Sequence, residues 1–405
     1  MADWNRLFAT RMGEVVASDI RERMKLLQAG QIIHLGGGLP DPDIFPYAAL
    51  AEASARIWSD PALARTALQY APSEGHAALR AWIADYMTGI GAPCDPDNIL
   101  ITNGSQQGLD FVAKLLLSPG DKAMVEVPSF IGALRAFDAY EPVYAAYPGG
   151  NPVGAKFCYV GPDFRNPTGT TMTLEEREEL LDLAAGNGMA ILEDGCYERL
   201  RYDGAPLPSL LAMAIARHGS IEDTPVLHTG TFSKTIAPSL RVGWIAGPAA
   251  AIRKLVLIKQ ASDLATSALN QMLLLEVVRS QLAAATETAC AVYRERRDSM
   301  LAALAEHMPQ GVRWTRPEGG LYIWVELPKQ LDATLLTQRA LAEEGVSAIA
   351  GAAFYPRGVP AERNTLRLSF SMIDSEPARE GVARLGALVR EMLQSTAAVT
   401  AISSA

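Results

Sequence analysis

Between Ile99 and Thr229 the chain repeats one pattern: a short, continuously apolar run, a small-residue turn, then apolar residues at helical spacing. The runs fall at Ile99–Thr102, Lys122–Val127, Lys156–Val160, Met189–Glu193 and Val226–Thr229. Helical spacing follows at Leu109–Leu117, at Thr173–Ala185, and beyond the last run at Ala249–Lys259. Thr173 with Glu176 three residues on reads as a capping box opening the second of these. A strand that is apolar on both faces has no side for water. Alternation with helices then predicts an α/β fold, a mostly parallel sheet covered above and below. At 49% apolar and 20% charged residues, the chain has the material for such a core.

The flanks read differently. Residues 74–90 space Leu79, Trp82, Ile83 and Tyr86 as a helix. A long helical stretch from about Ser267 to His307 leads into VRWTRPEGGLYIWVELP, whose alternation predicts a strand pair around Gly319–Gly320. Residues 333–344 follow as a helix, NTLRLSFS (364–371) as a strand and Glu376–Leu393 as a last helix. The 405 residues suffice for two domains. The expected division is a large α/β domain over 47–285 and a small α+β domain made of 1–46 with 286–405.

A net charge of −9 gives no electrostatic case for nucleic acid or an anionic membrane. The N-terminal MADWNRLFATRMGEVV interrupts each apolar stretch with charge, unlike a signal peptide, and no window reaches the roughly 18 apolar residues of a membrane span. Cys94, Cys158, Cys196 and Cys290 are scattered, with neither metal nor disulfide spacing. A reduced, cytoplasmic protein without a metal is expected. The five histidines show no ligand spacing and read as structural or surface residues.

Four segments carry chemistry. In TFSKTIAPSLRVGW (231–244), Lys234 follows Thr231 and Ser233, and Arg241 comes seven residues later. An imine-forming lysine needs a pocket that lowers its pKa, while hydroxyls and a guanidinium suit a phosphate dianion. Taken by itself, the segment equally fits a surface lysine beside a Ser/Thr-rich turn. In ILEDGCYERL (191–200), an apolar run delivers Asp194 to a strand end, where α/β sheets bind ligands. Facing a pyridine nitrogen, an aspartate keeps it protonated; the plainer reading is a helix cap. Tyr197 lies three residues on. ITNGSQQGLDF (101–111) reads strand, turn, helix start, a phosphate site from Gly104, Ser105 and Gln106. DFRNPTGT (163–170) fixes Asn166 in a turn.

In this order and spacing the segments resemble the fold-type I enzymes that use pyridoxal 5′-phosphate, specifically class I/II aminotransferases. The subgroup most similar is that of 2-aminoadipate and kynurenine aminotransferases. Further matching stretches are GGGLPDPDIFP (36–46), LQYAPSEGHAALR (68–80) and NTLRLSFS. The resemblance implies the aspartate aminotransferase-like fold, with a seven-stranded sheet in the large domain. It implies that Lys234 carries the cofactor as a Schiff base, Asp194 pairs with the pyridine nitrogen, and Asn166 and Tyr197 bond the phenolic oxygen. Ser105, Gln106, Thr231, Ser233 and Arg241 would hold the phosphate, and Tyr70 would reach the phosphate of the other subunit in a homodimer with shared active sites. Arg367 would grip the substrate α-carboxylate, with Gly38 and Leu39 on the loop nearest the substrate. Arg21 matches a position that contacts a distal carboxylate in the subgroup, and equally fits an exposed helix arginine.

Three departures stand out. The ring-stacking tyrosine is Phe130, and the aspartate that follows Asp194 in the family is Gly195, which reads as a local backbone change. Residues 145–156, which end in YPGGNPVGAK, are too few and too rich in Gly and Pro for the helix relatives place there. The implied activity is ping-pong transfer of an amino group from an L-amino acid to a 2-oxo acid, with 2-oxoglutarate the expected acceptor. A pyridoxal-phosphate lyase, racemase or decarboxylase shares every cofactor residue, because fold does not fix the bond broken. A regulator with an aminotransferase-like sensor domain and an inactive scaffold are the rivals outside enzymology. Trp314, Tyr322 and Trp324 alternate along a strand and read as packing.

Overall fold

The structure, a computed structural model, describes residues 3–13 and 32–403. Arg21 lies outside the described residues. In chain order the strands are β1 (Ile33–His34), β2 (Ile99–Thr102), β3 (Lys122–Glu126), β4 (Val143–Tyr147), β5 (Ala155–Val160), β6 (Ala190–Asp194), β7 (Val226–Thr231), β8 (Gly243–Ala246), β9 (Arg313–Trp314), β10 (Tyr322–Glu326), β11 (Val346–Ser347), β12 (Ile349–Ala350) and β13 (Thr365–Ser369). Strands β2 to β8 form one sheet in the order β2-β8-β7-β6-β5-β3-β4, parallel except for β8. Side chains alternate between two cores, as the period of a strand requires. Cys158, Val160 and Ile191 pack under the helices Ala77–Gly89, Leu174–Asn187 and Leu210–His218. Phe157, Tyr159 and Leu192 pack under Ser105–Leu116, Ile131–Asp138 and Ala249–Ser262. Thr173 and Glu176 form the expected capping box.

A second sheet, β12-β13-β10-β9, is antiparallel. Its core includes Ile323 and Leu368 with Met300 and Leu304 of the helix Ala268–His307, and Val382 and Val389 of the helix Ser375–Ser403. The two-residue β1 pairs with β11, so His34 lies beside Ser347 at the junction of the two halves.

The Gly/Pro-rich segment holds no helix. β4 runs on to Tyr147 at the sheet edge, and residues 148–154 alone return the chain across β3 to the start of β5. An extended chain of that length spans about 25 Å, enough to recross five residues of strand and two strand spacings. Gly150 is needed because a Cβ there would lie 2.3 Å from the Ala146 carbonyl oxygen. Lys122 Nζ donates to the Val153 carbonyl at 2.7 Å and holds the crossover to the sheet. The antiparallel β8, four residues long, was not among the strands expected from sequence. No described helix is long and apolar enough to cross a membrane.

Candidate active site

Parallel strands end on one edge, and five of them deliver the motifs there. β2 leads to Ser105 at the start of a helix, β3 to Phe130, β5 to Asn166, β6 to Asp194 and Tyr197, and β7 to Ser233 and Lys234. They line one cavity of about 420 Å³ with Gln106, Thr231, Arg241, Arg367 and Gly38. Gly104, the residue capping the Ser105 helix, adopts φ +77°, and a Cβ there would meet the Arg241 guanidinium at 2.6 Å. Arg241 itself takes the left-handed region and donates through Nη2 to the Asn103 carbonyl at 3.0 Å. Thr231 Oγ1 and Ser233 Oγ lie 2.9 Å apart. Amides at a helix N-terminus, two hydroxyls and a guanidinium thus surround a space suited to a phosphate. Gln106 also lines the cavity, though its amide is bonded to the Gly132 carbonyl at 2.7 Å.

Asp194 accepts from Tyr159 Oη at 2.9 Å and from the Cys196 N–H at 3.2 Å. Lys234 Nζ lies 3.5 Å from the Gly38 carbonyl oxygen and 5.8 Å from the centre of the Tyr197 ring. Arg367, 1% exposed, donates to Asn166 Oδ1 at 2.8 Å and to the Gly36 and Gly37 carbonyls, while its Nε is buried without a partner. Tyr70, by contrast, is 80% exposed and does not line its own chain's cavity.

Several lining residues were not singled out from sequence. Tyr322 is packed as expected, yet its hydroxyl meets Tyr197 Oη at 3.2 Å in the site. His34 reaches the cavity from β1. Glu126 and Arg165 form a pair at 3.5 Å; burial pushes the Glu126 carboxyl up to about 7, against the pull of Arg165. Nothing local in the sequence marks these, because a strand end becomes a site only through its neighbours.

A lysine amine, a phosphate cradle and a buried carboxylate on this sheet define a pyridoxal-phosphate enzyme of the aspartate aminotransferase-like fold. Comparison narrows the class. The pattern of the family "Aminotransferase class I and II" matches residues 31–149 and 162–385. The 2-aminoadipate transaminase of Thermus thermophilus is 40% identical over 96% of this chain and 98% of its own. The solved α-aminoadipate aminotransferase LysN from T. thermophilus superposes with a TM-score of 0.86 at 38% identity, over 97% of this chain and all of that one. The kynurenine aminotransferase of Pyrococcus horikoshii gives 0.88 at 36% identity, over 96% and 98%. The chain belongs to the class I and II aminotransferases, and it is a pyridoxal-phosphate-dependent transaminase.

Beneath Asp194 lies a charged layer that explains Gly195. Its φ is not positive; a Cβ there would instead lie 2.4 Å from His228 Cε1. The glycine makes room for a ring rather than for a backbone turn. His228 Nδ1 is 3.0 Å from Glu193 Oε2, and both side chains are buried. Glu193 also accepts from the N–H groups of Leu210 and Leu211, capping that helix. Burial alone would lower His228, but the bond and charge of Glu193, then Glu198 and Asp194, raise it to about 9. A pKa raised on folding contributes stability that is full below about 6.5 and fades as pH climbs through 9. Cofactor-free protein should therefore lose on the order of 1–3 kcal/mol from this source across that window. Urea unfolding of His228→Gln should show a flatter stretch there; an unchanged slope would remove His228 as its cause.

Proposed function

We propose that the protein moves the amino group of an L-amino acid to a 2-oxo acid, 2-oxoglutarate foremost, in a ping-pong cycle within this one cavity. The observation that carries the reading is that Lys234 and the buried Arg367 line the same cavity, and Arg367 Nε has no partner within the protein. Bound there, pyridoxal phosphate supplies an aldehyde for the amine and a ring that withdraws electrons from the substrate Cα. Asp194 would hold the proton on the ring nitrogen. Asn166 and Tyr197 would bond the phenolic oxygen, and Phe130 would stack on the ring without the hydroxyl of the usual tyrosine. Ser105, Gln106, Thr231, Ser233 and Arg241 would bind the phosphate, with Gly104 allowing its approach. Arg367 would fix the α-carboxylate by a two-pronged bond and so orient the Cα–H towards Lys234, which then moves that proton. Gly38 would close over the substrate.

Other parts of the reading follow from chemistry and surface. The names of similar enzymes bring 2-aminoadipate and kynurenine forward as donors, with Arg21 as the candidate for a distal carboxylate. Tyr70 projects from the turn after the helix Pro61–Leu68, beside the 74% exposed Leu68, and would enter the partner's site in a two-fold homodimer. A core drawn mostly from residues before 46 and after 286, with Phe164, Tyr197, Leu200 and Tyr202 packed into it, supports a small domain from 1–46 and 286–405 beside a large one over 47–285. Scattered free cysteines fit a cytoplasmic location.

Mixed with a panel of L-amino acids and no acceptor, the holoenzyme should yield stoichiometric 2-oxo acid and pyridoxamine phosphate. Lys234→Ala should slow this half-reaction by roughly 10²–10⁴-fold or more. Amino-acid consumption without pyridoxamine phosphate across the whole panel would point to a lyase, racemase or decarboxylase instead. Tyr70→Ala should weaken cofactor binding about tenfold, the loss of one hydrogen bond to a charged group. Mixed dimers of Tyr70→Ala with Lys234→Ala should regain one tight site per dimer, as seen by equilibrium dialysis. No regain would place Tyr70 outside the partner's site.

A further inference from the structure

Tyr322 is wedged among four parts of the site. Its hydroxyl is 3.2 Å from Tyr197 Oη, with the rings edge to face at 5.8 Å. The Arg367 guanidinium lies over its ring at 4.3 Å. A Cβ on Gly38 would come within 2.4 Å of its hydroxyl, and one on Gly169 within 2.3 Å of its carbonyl oxygen. The glycine loop and Arg367 therefore close on this side chain, and the turn that carries Asn166 closes on its backbone.

We propose that Tyr322 is a positioning residue: its hydroxyl donates to Tyr197 Oη, which leaves the Tyr197 proton aimed at the cofactor's phenolic oxygen. This rests on the cofactor site proposed above. Only one proton can lie between the two oxygens, so one hydroxyl donates and the other keeps its own proton for a further partner. A guanidinium 4.3 Å above the Tyr322 ring polarises that ring and favours its O–H as the donor; the ammonium facing the Tyr197 ring is farther, at 5.8 Å. Burial keeps the proton on Tyr197. A hydroxyl that accepts one hydrogen bond donates a stronger one, by about 10–30% of the bond. Tyr322 also sits on β10, directly paired with the strand of Arg367, so the carboxylate grip and the phenolic contact share one rigid support. Besides Tyr322 and Arg367, the charged or titratable groups around Tyr197 are Lys234, Asp194 and Cys196.

The test is spectroscopic. The pH midpoint of the visible absorption band of the holoprotein reports how strongly the phenolic oxygen is bonded. In Tyr322→Phe the Tyr197 bond weakens, the phenolic oxygen holds the neighbouring imine proton more tightly, and the midpoint should rise by about 0.2–0.6 pH unit. Tyr197→Phe should raise it further, and adding Tyr322→Phe to that variant should move it no more, because the two act through one bond. An unmoved midpoint in Tyr322→Phe, or an equal shift with and without Tyr197, overturns the proposal while leaving the cofactor site standing. A wild-type protein with no visible band would overturn the cofactor site, and this inference with it.

Discussion

Parallel strands covered on both faces leave only their ends in reach of a ligand, and the whole site depends on that constraint. β2, β3, β5, β6 and β7 run the same way, so the residues after each of them meet on one edge. Cys158, Val160 and Ile191 on one face, and Tyr159 and Leu192 on the other, pack the paired strands between two helical layers. Polar groups are admitted where backbone order ends and hydrogen bonds can be completed. Asp194, the last residue of β6, is the case in point: Tyr159 and the Cys196 amide hold its carboxylate ready for a partner.

The second sheet contributes a buried cation, Arg367, to which the proposed function gives the substrate carboxylate. Arg367 crosses from β13 to Asn166 and to the Gly36–Gly37 carbonyls, so one guanidinium joins three separate segments. Desolvation of a cation this deep is tolerated only because those acceptors surround it. The same chain of contacts runs through Tyr322 and Tyr197 to the edge of the parallel sheet.

How much of this was legible in the sequence follows the range of the forces involved. Apolar runs and helix caps are local, so the parallel strands, the Thr173–Glu176 box and the long helix ending at His307 could be read directly. The motif residues around Lys234 could be read because each lies just past a locally legible strand, and parallel strands bring those ends to one edge. What escaped depends on contacts between distant segments. Gly195 looked like a backbone device, yet it answers to a ring from the neighbouring strand. Tyr322 looked like packing because its alternation with Trp324 says nothing of where a hydroxyl ends. The Glu126–Arg165 pair joins β3 to the turn after β5 and has no sequence signature. β8 opens on Gly243 at the close of the lysine motif, and the seven-residue crossover after β4 is shorter than the usual parallel connection.

The central claim is that Lys234, at the end of β7, is the amine that carries the cofactor. Reduction of the pyridoxal-phosphate-loaded protein with borohydride, followed by peptide mass spectrometry, tests it most directly. The account predicts one phosphopyridoxyl group per chain, on Lys234. A label on another lysine, or no covalent label on protein that has bound the cofactor, would contradict it.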